Sequence, residues 1–113
     1  MAAGMQTIIF PVKDLAAAKA LYGALTGTEP TSDSPYYVGF TVGDQQLGLD
    51  PNGHAKGMTG PLAYWHVDDI RATIDRLVAA GGKVTEEAHG VGGTRQIATV
   101  TDADGNPIGL LQD

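Results

Sequence analysis

The chain has 113 residues, no cysteine, and thirteen acidic against seven basic side chains, for a net charge of −6. That length makes one domain able to bury roughly 65% of its unfolded surface. The lack of cysteine excludes disulfides, thiolate nucleophiles and cysteine-type zinc sites, and the negative charge repels phosphate backbones and anionic lipid, so neither nucleic acid nor a membrane is an expected partner.

Residues Met1 to Phe10 carry no basic leader, and no apolar run approaches the roughly 18 residues needed to cross a bilayer. A cytoplasmic chain is the expectation. The first apolar run, Thr7 to Val12, is rich in β-branched and aromatic residues and reads as a strand. Asp14 stands where an N-cap carboxylate would accept the free amides of a helical first turn. The segment Leu15 to Leu25 then places Leu15, Ala18, Leu21, Tyr22 and Leu25 at helical spacing and stops at Gly27, the residue type that favours a left-handed helix end. Three β segments follow: a weak one at Glu29 to Asp33, a stronger one at Tyr36 to Val42, and Gln45 to Asp50, with Gly43-Asp44 as the turn.

Pro51 to Pro61, with Gly53, Gly57 and Gly60, reads as a linker, after which the order repeats. Leu62 to Val67 is a strand. Asp69 is the N-cap, and Ile70, Ile74, Leu77 and Val78 form the helical stripe, which ends at Gly81-Gly82. Lys83 to Ala88, Thr94 to Thr101 and Pro107 to Gln112 are strands, with Gly90-Val91-Gly92-Gly93 as one hairpin and Asp102-Ala103-Asp104-Gly105-Asn106 as the other. The repeat shows in the letters as well. Val12-Lys13-Asp14-Leu15 returns 55 positions on as Val67-Asp68-Asp69-Ile70, and Leu47-Gly48-Leu49 returns as Ile108-Gly109-Leu110. The expected fold is α+β: a single domain of two βαβββ modules, residues 5–50 and 61–113, joined by linker 51–60.

Two such modules, each with a Val-x-Asp-hydrophobic step after its first strand, together with the Asp102-Ala-Asp-Gly-Asn106-Pro hairpin, resemble the vicinal oxygen chelate superfamily. That group holds glyoxalase I, the extradiol dioxygenases and the bleomycin-resistance type of antibiotic-binding protein. The resemblance implies a cupped mixed sheet and a homodimer, with module pairing within or between chains left open. It also implies metal-ligand positions on the first and last strand of each module. Here those positions fall on Thr7, Gly48, Leu62 and Gly109, none of which offers the carboxylate or imidazole donor a divalent cation requires. No metal and no cofactor is therefore expected. His54, His89 and the Glu86-Glu87 pair show no recognisable ligand spacing.

Strand alternation puts Thr7, Ile9 and Pro11 on one face and Leu62, Tyr64 and His66 on another, both turned toward the hollow. Ile8-Phe10-Val12, Ala63-Trp65-Val67 and Val38-Phe40-Val42 would pack under the helices, making Trp65 a core residue. In Thr94 to Thr101, Arg95 and Gln96 compete for the inward direction. The expected ligand-binding set is Thr7, Ile9, Tyr37, Gln46, Gly48, Leu62, Tyr64, His66, Gly109 and Leu111, with the two glycines leaving room at the floor for a flat organic molecule. The same side chains admit a structural reading, the tyrosines as sheet covers and His66 as a hydrogen-bonded core residue.

The first functional expectation is a metal-independent protein that sequesters an aromatic or hydrophobic natural product or antibiotic, with no catalytic residue. The alternative is a glyoxalase- or dioxygenase-like enzyme with a non-standard site, His66 as general base and Tyr64 or Tyr37 as donor to a carbonyl. A third is an assembly partner with a vestigial pocket.

Overall fold

The computed structural model describes residues 2–113. In chain order these form β1 (Ala2–Pro11), α1 (Leu15–Thr26), β2 (Ser32–Ser34), β3 (Tyr37–Val42), β4 (Gln45–Asp50), β5 (Leu62–Val67), α2 (Ile70–Ala79), β6 (Lys83–Gly92), β7 (Arg95–Thr101) and β8 (Pro107–Gln112). The linker carries a short 3-10 turn at His54–Lys56. The fold is α+β with two βαβββ modules, as the repeat predicts. Contacts divide the chain into two compact units, Thr7–Leu62 and Ala63–Asp113, the second also taking the start of β1 through Gln6.

In the first unit the strands run β2-β3-β4-β1, and in the second β5-β8-β7-β6. Each module therefore lays its first strand parallel to its last. The closing pairs are Thr7↔Gln46 and Ile9↔Gly48 in one, and Tyr64↔Gly109 and His66↔Leu111 in the other. A parallel pair needs a long crossover, which the helix and the two intervening strands supply.

The helices begin where the aspartates predict. The Asp14 carboxylate accepts the Ala17 amide at 3.0 Å, and Asp69 accepts that of Ala72 at 3.1 Å. The Ile70 amide, a further donor at the start of α2 with no partner inside the helix, is taken by Gln112 Oε1 at 2.7 Å. Gly27 caps α1 at φ +69°, and α2 passes through Ala80 to Gly81 at φ +107°.

Under α1 lie Val38, Phe40 and Leu49, with Phe10, Val12, Leu15, Ala18 and Tyr22 packed on them. Under α2 lie Val67, Ile70, Ala98, Val100 and Leu110, with Ile74 and Leu77 against them. Several expectations fail here. Leu21 and Leu25 are 67% and 75% exposed, so the buried stripe of α1 is narrower than the sequence spacing suggested. Val42, Val78 and Trp65 are exposed rather than core. Val42 stands at the end of β3 and Trp65 on β5, and the core clusters under the helices include neither. The weak β2 is only Ser32–Ser34, since Pro30 lacks the amide a ladder needs. Finally, β6 runs through Gly90 to Gly92, leaving a tight turn at Gly93-Thr94.

The second hairpin is built on Asp102. Its Oδ1 accepts the Asp104 and Asn106 amides, both at 2.9 Å, and its Oδ2 accepts the Asn106 side chain at 3.0 Å. These bonds, the Asn106 side-chain one first, hold its carboxyl below the usual range.

Candidate functional site

In the first module the parallel register gathers Thr7, Ile9, Gln46 and Gly48 on the sheet face turned away from α1, since Phe10, Leu47 and Leu49 pack in the core under the helix. Thr7, 2% exposed, donates its hydroxyl to Gln46 Oε1 at 3.4 Å. Tyr37 reaches across from β3, and a Cβ on Gly48 would overlap its hydroxyl and stand 2.6 Å from Ile9 Cδ1. The glycine does not leave open floor. It makes the space that the Tyr37 phenol fills. Leu62, at the start of β5, is buried.

The second module repeats the device with a different partner. A Cβ on Gly109 would stand 2.7 Å from the Ala63 carbonyl oxygen and 2.8 Å from Tyr64 Cδ1, so the ring of Tyr64 lies against the bare backbone of β8. Tyr64 is 6% exposed and Leu111 is 3% exposed. The expectation of room above the two glycines is therefore corrected at both.

Core packing settles the parity that the sequence left open in β7. Ala98 and Val100 belong to the cluster under α2, so Arg95, Ile97 and Thr99 share the other face with Tyr64, His66, Gly109 and Leu111. At the end of that face, Arg95 Nε donates to Asp113 Oδ1 at 2.7 Å, and Nη2 forms an ion pair with the same oxygen at 2.7 Å. The second oxygen of Asp113 lies 3.9 Å from His66 Nδ1. Burial pushes the His66 pKa below that of a free imidazole, against the raising effect of the Asp113 carboxylate and with a further lowering from Arg95. The imidazole is thus neutral near pH 7 and can take a proton. Around it lies a cleft of about 260 Å³ bounded by Gln6, Val67, Asp68, Leu111, Gln112 and Asp113 as well as His66.

Farther along the same face, Thr99 donates to Glu86 Oε1 at 3.3 Å, and the other oxygen of Glu86 is 3.3 Å from His89 Nε2. Among the described residues no group of three or more histidines and carboxylates converges on a point where a metal ion would sit. The sequence reading named His66 and missed Arg95 and Asp113 as its companions. Ile97 and Ala98 are both apolar, which hid the alternation of β7, and Asp113 lies one residue past the end of β8. The register of β7 on β8, Gln96↔Gln112, is the signal that brings Arg95 beside Asp113.

Residues 4–110 match the model of the Glyoxalase/Bleomycin resistance protein/Dioxygenase superfamily. The lactoylglutathione lyase of Haemophilus influenzae is 35% identical over 96 residues, 74% of this chain and 71% of that one. A probable lactoylglutathione lyase of Vibrio parahaemolyticus is 58% identical over 48 residues, 42% of this chain and 35% of that one. With several of its curated relatives the match spans only about two fifths of their length or less. Among solved structures, a methylmalonyl-CoA epimerase from Mycobacterium tuberculosis superposes with a TM-score of 0.77 at 20% identity, over 98% of this chain and 88% of that one. The repeat, the parallel closing strands and the match across both modules agree: this chain belongs to the glyoxalase/bleomycin resistance protein/dioxygenase superfamily.

Proposed function

We propose that the chain is a glyoxalase-like enzyme that moves a proton between adjacent carbons of a small carbonyl compound, with His66 as the base and without a four-ligand metal centre. One observation carries the reading: a half-buried, neutral imidazole faces a cleft, with one ring nitrogen toward a carboxylate that Arg95 holds in place. The neutral imidazole is the form that can accept a proton from carbon. Tyr64, two residues before His66 on the same face, does not border that cleft; its buried ring lies against β8 at Gly109, and it takes no part in the proton transfer. The identity to relatives named lactoylglutathione lyase supports the same class, since lactoylglutathione is a 2-hydroxyacyl thioester.

Such a thioester arises from the adduct of a 2-oxoaldehyde and a thiol by an internal shift. The C–H bond on the hydroxyl-bearing carbon breaks and its proton goes to His66, and the electron pair passes through an enediol. The neighbouring carbon then takes a proton. The first carbon is oxidised to the acyl level and the second reduced to an alcohol, so no outside oxidant or reductant is needed.

The four positions at which the superfamily resemblance places metal ligands do not fit a divalent cation. A threonine hydroxyl, a leucine and two glycines, Thr7, Leu62, Gly48 and Gly109, offer no imidazole or carboxylate. That donor set also favours a second reading, sequestration of an aromatic ligand without turnover.

The test is thioester formation from methylglyoxal and a thiol, using chelator-treated protein. Turnover that persists, and falls by about 10²–10⁴-fold in His66→Asn, supports the base. Turnover lost to the chelator and restored by zinc, nickel or manganese overturns it. No turnover, with stabilisation by a planar aromatic compound of about 2.7 kcal/mol at a hundred times its Kd, selects sequestration.

A further inference from the structure

Resting on that reading of His66, we infer that Gln112 is the hydrogen-bond donor of the same site: its carboxamide NH2 bonds the substrate oxygen that becomes negative as His66 takes the proton. When the C–H bond breaks, its electron pair moves onto the neighbouring carbonyl oxygen, and the enediolate so formed is stabilised by a donor already in place. Neither Tyr64 nor any of Thr7, Gly48, Leu62 and Gly109 borders the cleft.

The side chains around the cleft narrow the choice. Val67 and Leu111 are apolar, the carboxylates of Asp68 and Asp113 only accept, and His66 is the base, which leaves Gln6 and Gln112. Gln112 is the one held in a set orientation. β5 and β8 run parallel and end together at the cleft, which takes His66 and Leu111 from one sheet face and Val67 and Gln112 from the other. α2 begins just past this end, and the Ile70 amide donates to Gln112 Oε1 at 2.7 Å. Only the oxygen of a carboxamide can accept that N–H, so the bond decides which way round the amide lies and puts the NH2 on the side away from Ile70. No second partner of this side chain is found among the described residues, and none of their side-chain nitrogens is both buried and unpartnered, so the NH2 is open to solvent. The Ile70 bond also polarises the amide, which strengthens the NH2 as a donor. At about 260 Å³ the cleft is below the roughly 300–1,000 Å³ of drug-sized sites, so a short carbonyl compound seated at His66 lies within reach of that group.

Two substitutions separate the donor from the structural bond. Gln112→Glu keeps an oxygen for the Ile70 amide and exchanges the NH2 for a second oxygen, whereas Gln112→Met removes both. With chelator-treated protein, methylglyoxal and 2-mercaptoethanol, kcat should fall by about 10²-fold in both variants, with KM changing little, because the bond strengthens only as charge develops. The comparison is made on the alkaline plateau of the pH–rate profile, where His66 is neutral even beside an added carboxylate. Tm should fall in Gln112→Met alone. In the wild-type protein the side-chain amide protons of Gln112, identified by their loss in Gln112→Glu, should shift when the product thioester is added at concentrations that inhibit turnover. A wild-type kcat in Gln112→Glu, or amide signals that stay in place, overturns the inference and leaves His66 as base intact. No turnover by the wild-type protein, or equal turnover by His66→Asn, overturns the base reading and this inference with it.

Discussion

Gly48 and Gly109 occupy matching places in the two modules but meet different neighbours, and a methyl group at each tests that difference. At Gly48 the obstruction is side chain, the Tyr37 hydroxyl and Ile9 Cδ1, which can shift. At Gly109 it includes the Ala63 carbonyl, which is fixed by the strand. Gly109→Ala should therefore cost more than Gly48→Ala, both falling near the 1–3 kcal/mol of an overpacked core. Denaturant titration measures both, and Tyr37→Ala should relieve Gly48→Ala alone. His66 gives a second test at this scale. Its pKa is lowered on folding, so the unfolded chain binds the extra proton between the two values. Its contribution to stability is complete above the unfolded pKa and is lost as the pH falls toward the folded one. Asp113→Asn removes a raising influence and should move the imidazole titration, followed by NMR, to lower pH; Arg95→Gln removes a lowering one and should move it up.

At the scale of elements the caps are the most sequence-legible feature. Asp14 and Asp69 each close a helix through a single carboxylate bond, so replacing either by alanine should cost about 1 kcal/mol in thermal or denaturant unfolding. Apolar letters at helical spacing were a less secure guide. Leu21 and Leu25 fit the period of α1 yet stand in solvent, and Leu21→Gln with Leu25→Gln should change stability by no more than about 0.5 kcal/mol each. Period alone cannot say how wide a stripe the sheet beneath will cover. Strand parity was readable in β1, β3 and β5, where apolar and polar residues alternate or the registry with a repeat helps. It was unreadable in β7, where Ile97 and Ala98 follow one another. The candidate site was legible to the same extent. His66, Tyr64 and the two glycines follow from alternation within a strand, whereas Arg95 and Asp113 meet through the register between strands.

For the whole molecule, the repeat made the architecture readable because two matching motifs constrain each other: a Val-x-Asp step and a Leu/Ile-Gly-Leu triplet bracket each module. What the repeat could not convey is how the modules diverge. In the first, β3 sends Tyr37 over the glycine; in the second, β5 itself supplies Tyr64, and the Arg95–Asp113 pair has no counterpart fixed by the motif.

The parallel closure of the second module also sets an order of events. His66 on β5 and its carboxylate after β8 are separated along the chain by all of α2, β6 and β7, so the cleft forms only through contacts of long sequence separation. Such contacts form late and slowly compared with a helix, whose turns close locally. During refolding from denaturant, helical circular dichroism should recover before the displaced titration of His66 does. A chain whose last strand has not yet docked would hold its histidine in water, with an ordinary affinity for protons and no cleft around it.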